Sequence, residues 1–260
     1  MKKYKTVVVA GCSFSASNPL DSRRLVNPGE TYGDIVANHF GAKCYNTALS
    51  GDSFQRMGRK IYEWCAKNKD KFNDTLIILG MTSLDRYEMW NNKEDRWLGV
   101  TGNYWGTDDD DDAPAEKYIL ENQAVEIPWL VQDKKKYFVN FYNNKAQLII
   151  NDNILIGLQS FLTLNNIDHV FFDALRDVSR ASPYHTVKHT FPPVSKHGPA
   201  GKRSDLVTYK NWYKNPKYAS MEKMTEENPD MRVAADDKHP NKKAHKYWAK
   251  CLIEFINEKV

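Results

Sequence analysis

Two short runs of uninterrupted apolar sequence, Thr6 to Ala10 and Thr75 to Leu79, most constrain the fold. Each is stopped by a glycine, Gly11 and Gly80. Runs this short and this continuous suit strands buried on both faces, as in a parallel sheet covered by helices. His169 to Asp173 reads as a further strand, and Lys43 to Asn46 as a weaker one.

Between these runs apolar residues recur at helical spacing, about every 3.6 residues. Thr31 to Phe40 forms one expected helix, with Ile35, Val36, His39 and Phe40 on one side. Ser53 caps a second, whose stripe is Phe54, Met57, Ile61, Trp64 and Cys65. A third, long helix is expected up to Asn165-Asn166, with Ala146, Ile149, Ile150, Ile154, Leu158, Phe161 and Leu162 on its stripe. The last helix carries Ala244, Tyr247, Trp248, Cys251, Leu252, Phe255 and Ile256. Alternating strands and helices predict a three-layer α/β/α sandwich around a parallel, flavodoxin-like sheet. We read residues 1–260 as a single domain with two long insertions, about 82–135 and 176–232, where no steady period holds.

Composition narrows the function classes. Hydrophobic residues make up 41% of the 260, enough for a large core. Net charge is +4 and the basic residues are scattered, so the stripe expected of a nucleic-acid binder is missing from the sequence. The four cysteines, Cys12, Cys44, Cys65 and Cys251, form no C-x-x-C pair and read as free thiols. Met1 to Cys12 imitates a lipoprotein signal, but its apolar stretch is shorter than the about 7–15 residues a signal needs. The expectation is a chain that stays in the cytoplasm where it is made, with no membrane partner. Its oligomeric state is left open.

In open parallel sheets, sites form beyond the carboxyl ends of the strands. Four segments there carry reactive chemistry. Val9 to Ser15 places Ser13 on a strand-to-loop turn, where a base can reach its hydroxyl. Asn46 to Ser53 offers Gly51, whose unobstructed N–H suits a negative oxygen. Leu79 to Ser83 contributes Thr82. Asp236-Asp237-Lys238-His239-Pro240-Asn241 directly precedes the last helix, with an acid and an imidazole three residues apart.

In order and spacing, these segments resemble the blocks of the SGNH (GDSL) hydrolases along nearly the whole chain. The resemblance implies Ser13 as nucleophile, His239 as base and Asp236 as its orienting acid, with no cofactor. It implies Gly51 as one oxyanion donor. Where that family carries G-x-N-D, this chain reads Gly80-Met81-Thr82-Ser83, so Thr82 replaces the asparagine donor. Cys12 stands where the aspartate before the nucleophile would be. The G-C-S-F-S opening and the stretch from Gly80 to Arg86 also resemble SGNH-like proteins encoded by phages.

The implied activity is hydrolysis of an acyl ester, a small molecule or a carbohydrate bearing O-acetyl groups. Arg86, just past Thr82, suits either a hold on an anionic substrate or a surface ion pair. The other reading is an SGNH-fold binding or structural module with little catalysis, such as a virion component if the chain is phage-encoded. Thr82 favours that reading, and the intact Ser13, Asp236 and His239 oppose it.

Other features carry less. His185, His189 and His197 suggest metal, but Pro192-Pro193 breaks the one-face geometry, and no metal site is expected. Asp108 to Asp112 lacks the spaced ligands of a calcium loop and reads as solvated. Tyr87, Trp90, Trp97, Tyr104 and Trp105 suit either a cleft lining or packing against the sheet.

Overall fold

The computed structural model describes residues 4–17, 26–84, 86–92, 95–101, 143–175 and 203–260. Five parallel strands form its main sheet: β1 (Thr6–Ala10), β2 (Lys43–Asn46), β3 (Thr75–Met81), β6 (Asp168–Asp173) and β7 (Trp212–Tyr213). Their order is β2-β1-β3-β6-β7. β4 (Arg86–Asn91) and β5 (Arg96–Thr101) pair separately as an antiparallel hairpin. The helices are α1 (Tyr32–Phe40), α2 (Phe54–Lys67), α3 (Asn144–Leu164), α4 (Met221–Glu227) and α5 (Lys242–Lys259).

Every residue of β1 and β3 is buried, as their uninterrupted apolar sequence requires. α1 packs on α5 and α2 on α3, giving a helical layer on each side of the sheet. α2 buries the expected stripe, with Ser53 Oγ accepting the Arg56 N–H at its start. α5 buries Ala244, Trp248, Leu252 and Ile256 from its expected stripe, with His245 and Ala249 beside them.

α3 departs from the expectation. Its buried face runs through Leu148, Asn151, Leu155, Leu158 and Leu162, while Ile149 and Ile150 are exposed. Polar side chains on that face explain the rotation. Asp152 is buried because it pairs with Arg203 Nη1 at 2.6 Å, and Gln159 because it hydrogen-bonds both ways with the Thr208 backbone. Burial of a paired polar group does not register in an apolar stripe.

Neither expected insertion is wholly irregular. The first holds the β4–β5 hairpin, tied to α2 by Arg59, whose guanidinium reaches Glu88 at 2.7 Å and 3.2 Å. On it Tyr87 is buried, while Trp90 and Trp97 are exposed and meet edge to face at 5.4 Å. The second holds β7 and α4. A two-residue strand and a two-turn helix are too short to show a period. Tyr104, Trp105, Asp108–Asp112, His185, His189 and His197 lie outside the described residues. Among the described residues, no helix is long and apolar enough to cross a membrane.

Candidate active site

The sheet order turns between β1 and β3: the chain runs outward from β1 to β2, then returns to the other side of β1. Adjacent loops part at such a point and leave a crevice beyond the strand ends. Ser13 and Thr82 enter it from neighbouring strands, each three residues beyond the paired Ala10 and Leu79.

The turn that carries Ser13 is pinned from several sides. The N–H groups of Ser15 and Ala16 both return to the Cys12 carbonyl, at 2.9 Å and 3.0 Å. The Leu49 N–H donates to the Gly11 carbonyl at 3.2 Å, drawing the loop after β2 alongside. Asn46 Nδ2 donates to the Ser15 carbonyl at 2.8 Å, and the Tyr32 hydroxyl donates to Ser15 Oγ at 2.7 Å. Gly11 is required by close approach, because a Cβ there would come within 2.5 Å of the Ser15 Cβ. Ser15 and Tyr32 therefore shape the nucleophile turn, a role that sequence reading missed. The repeated serine in the G-C-S-F-S opening was its one visible trace.

His239 reaches the turn from the opposite end of the chain. Its Nε2 lies 2.8 Å from Ser13 Oγ. Phe14 packs against the imidazole, ring centroids 5.2 Å apart. Ser13 is 3% exposed, so its hydroxyl sits in a largely dry environment.

The acid on the imidazole is Asp237, which corrects the assignment to Asp236. Asp237 Oδ1 lies 2.5 Å from His239 Nδ1 and also accepts the His239 backbone N–H at 2.9 Å. A carboxylate that bonds the backbone two residues on folds the chain into a tight turn. That turn lays Asp237 along the ring and leaves Asp236 exposed to solvent. Nδ1 facing a carboxylate carries the proton, which leaves Nε2 free to accept from Ser13.

The segment around His239 is anchored by its neighbours. Asn241 caps α5, accepting the N–H groups of Lys243 and Ala244. Its Nδ2 donates to the carbonyls of Asp230 and Arg232, at 2.9 Å and 2.8 Å. Arg232 in turn donates to the carbonyls of Thr225, Glu226 and Ala235, tying the loop to the end of α4.

Of the remaining candidates, Gly51 lies in the loop after β2, Thr82 directly follows β3 and Arg86 opens β4. Gly51 has φ +77°, a conformation that favours glycine. Its N–H, like that of Ser13, finds no acceptor among the described residues. Thr82 is 1% exposed, and its Oγ1 accepts from Arg86 Nη1 at 3.0 Å. Arg86 is therefore turned inward, onto Thr82. Beside Gly51, Asp52 is buried and paired with Arg56 at 2.5 Å. Burial pushes the Asp52 carboxyl up to about 7, against the pull of Arg56 and of Arg86. Among the described residues no cluster of His, Cys, Asp or Glu could hold a metal.

No protein-family model matches the sequence, and neither does any curated protein. Solved structures do match. TesA aligns at a TM-score of 0.50 and 10% identity, over 98% of this chain and 99% of that one. The fold is of the SGNH/GDSL hydrolase type. The esterase EstA from Pseudoalteromonas sp. aligns at a TM-score of 0.49 and 10% identity, over 98% of this chain and 97% of that one. A member of the lipolytic G-D-S-L family from Veillonella parvula aligns at 0.45 and 10%, over 97% and 98%. At such identities the likeness is one of SGNH architecture, and the chemistry must be argued from the side chains.

Proposed function

We propose that this chain is a serine esterase that removes short acyl groups, with O-acetyl groups on carbohydrate as the target class. The observation that carries the reading is the contact of Ser13 Oγ with His239 Nε2 at 2.8 Å, with Asp237 on the other ring nitrogen. Residues 224 to 226 positions apart in sequence converge in the order of nucleophile, base and orienting acid.

In this mechanism Ser13 Oγ attacks the acyl carbonyl carbon while His239 Nε2 takes the hydroxyl proton. The carbonyl π-electrons move onto oxygen, and the N–H groups of Ser13 and Gly51 stabilise that oxyanion. Collapse breaks the ester C–O bond, and His239 returns its proton to the departing alcohol. Water then attacks the acyl-enzyme with His239 again as base, releasing the carboxylic acid and restoring Ser13. Asp237 holds the tautomer and stabilises the imidazolium formed in both halves. None of these steps calls for a metal or a cofactor.

The test is hydrolysis of p-nitrophenyl acetate and of an acetylated oligosaccharide, beside a Ser13→Ala control. Turnover at least 100-fold above the control is expected, within the range that a nucleophile and base together supply. One observation favours the second reading, a binding module: the asparagine donor of the SGNH pattern is replaced by the buried Thr82. Turnover equal to the Ser13→Ala control on both esters would establish that reading instead.

A further inference from the structure

Arg86 is a buried cation with few partners among the described residues. It is 8% exposed, yet the hydrogen bond from Nη1 to Thr82 Oγ1 is the one that its guanidinium makes among the described residues. Its Nε is buried with no acceptor there. No carboxylate of the described residues lies within ion-pair distance of it, although Asp52 is near enough to feel its charge. A buried charge left uncompensated costs several kcal/mol. Groups held at such a cost cluster at functional sites.

The chemistry of the bond to Thr82 is directional. A guanidinium can only donate, so Thr82 Oγ1 must accept. With one lone pair engaged, the hydroxyl hydrogen is turned away from Arg86. No acceptor for it is present among the described residues. Thr82 directly follows β3, three residues beyond Leu79, as Ser13 stands three residues beyond Ala10, the Leu79 partner on the adjacent β1. That register brings Thr82 to the same end of the sheet as Ser13, where charge develops in the proposed reaction.

We propose that Arg86 is a positioning residue that makes Thr82 a charge-assisted oxyanion donor, the pair together replacing the asparagine amide of the SGNH pattern. This rests on the esterase reading above, and it changes the role of Arg86 from holding an anionic substrate to acting through Thr82. The hydroxyl is shorter than an amide, and the cation behind it compensates. It polarises the O–H and places positive charge in a dry site facing the forming oxyanion. Donors of this kind act on the transition state, so the pair governs kcat and leaves KM almost unmoved.

The test is a double-mutant cycle on a neutral short acyl ester and a matched ester bearing a carboxylate. The proteins are wild type, Thr82→Val, Arg86→Met, Arg86→Lys and each Arg86 variant combined with Thr82→Val. Thermal melts accompany the kinetics. Thr82→Val should lower kcat about 100-fold with KM within twofold. Arg86→Met should lower kcat about tenfold or more on both esters, and Arg86→Lys should recover part of that loss. In the Thr82→Val background neither Arg86 change should have a further effect, because the route from Arg86 to the oxyanion runs through the missing hydroxyl. If Arg86→Met does not fold, the Arg86→Lys cycle makes the same comparison. Independent, multiplying losses would overturn the proposal. So would a KM defect confined to the charged ester, or a lowered melting temperature with kcat unchanged. If wild type turns over no faster than Ser13→Ala, the esterase reading falls first and takes this proposal with it.

Discussion

At the scale of single residues, the two adjacent aspartates before His239 make opposite predictions. Asp237→Ala should lower kcat by about 10²–10⁴-fold, because the imidazole loses both its tautomer control and its counter-charge. Asp236→Ala should leave kcat within twofold, since its side chain is in solvent. Steady-state kinetics of the pair on one ester decides between them. The sequence could not separate these residues by spacing. Asp237 is selected by a turn in which one carboxylate takes both the backbone N–H and the ring nitrogen of His239, and neither bond has a sequence period.

His245 was also illegible, because a histidine on the buried face of a helix reads as polar. It accepts the Tyr32 N–H on Nδ1 at 3.1 Å and stacks on the Tyr32 ring. Burial holds its imidazole well down, to about 3. An unfolded chain's histidine titrates near 6.5, so below about that pH the unfolded state binds the extra proton. The stability His245 contributes is complete above that pH and is lost on acidification, at up to about 1.4 kcal/mol per pH unit. Asp52 has the opposite sign: its raised folded value gives stability that fades as pH rises toward 7. A variant that keeps Asp52 cancels that effect. In urea denaturation, the stability advantage of wild type over His245→Asn should therefore shrink from pH 7 to pH 5. An advantage constant with pH would contradict burial as a neutral imidazole.

At the scale of elements, the site depends on how α5 and β1 are terminated. Asn241→Ala removes a helix cap, worth about 0.5–2 kcal/mol, and leaves the carbonyls of Asp230 and Arg232 without that donor. The loop carrying His239 should loosen, so that kcat falls more than the melting temperature alone explains. Gly11→Ala should be more damaging. Its Cβ meets Ser15 at the start of the nucleophile turn, where overpacking typically costs about 1–3 kcal/mol. Denaturant melts and kinetics on the two variants check both expectations.

The elements themselves were legible where burial is apolar. β1, β3, α2 and α5 emerge where continuous runs or regular stripes place them. α3 has the expected extent but buries a different face, because Asp152 and Gln159 are buried through polar partners from the segment after residue 202. Those partners are about 50 residues away, beyond the reach of any local pattern.

At the scale of the whole molecule, the parallel sheet follows from strands that are apolar on both faces, and its site from the turn in strand order between β1 and β3. Ser13 and His239 were legible because each adjoins a regular element, β1 or α5. The route by which they meet was not, since it depends on α4, Arg232 and Asn241 holding a loop against the first turn. If this loop and turn form one reactive centre, Ser13 is chemically activated by His239. That activation is read by peptide-mapping mass spectrometry after treatment with a fluorophosphonate, a reagent that phosphonylates an activated serine. Wild type should carry a single stoichiometric adduct on Ser13, and labelling should be slowed at least 100-fold in His239→Ala. No adduct on Ser13 in folded wild type, or equal labelling of wild type and His239→Ala, would contradict it.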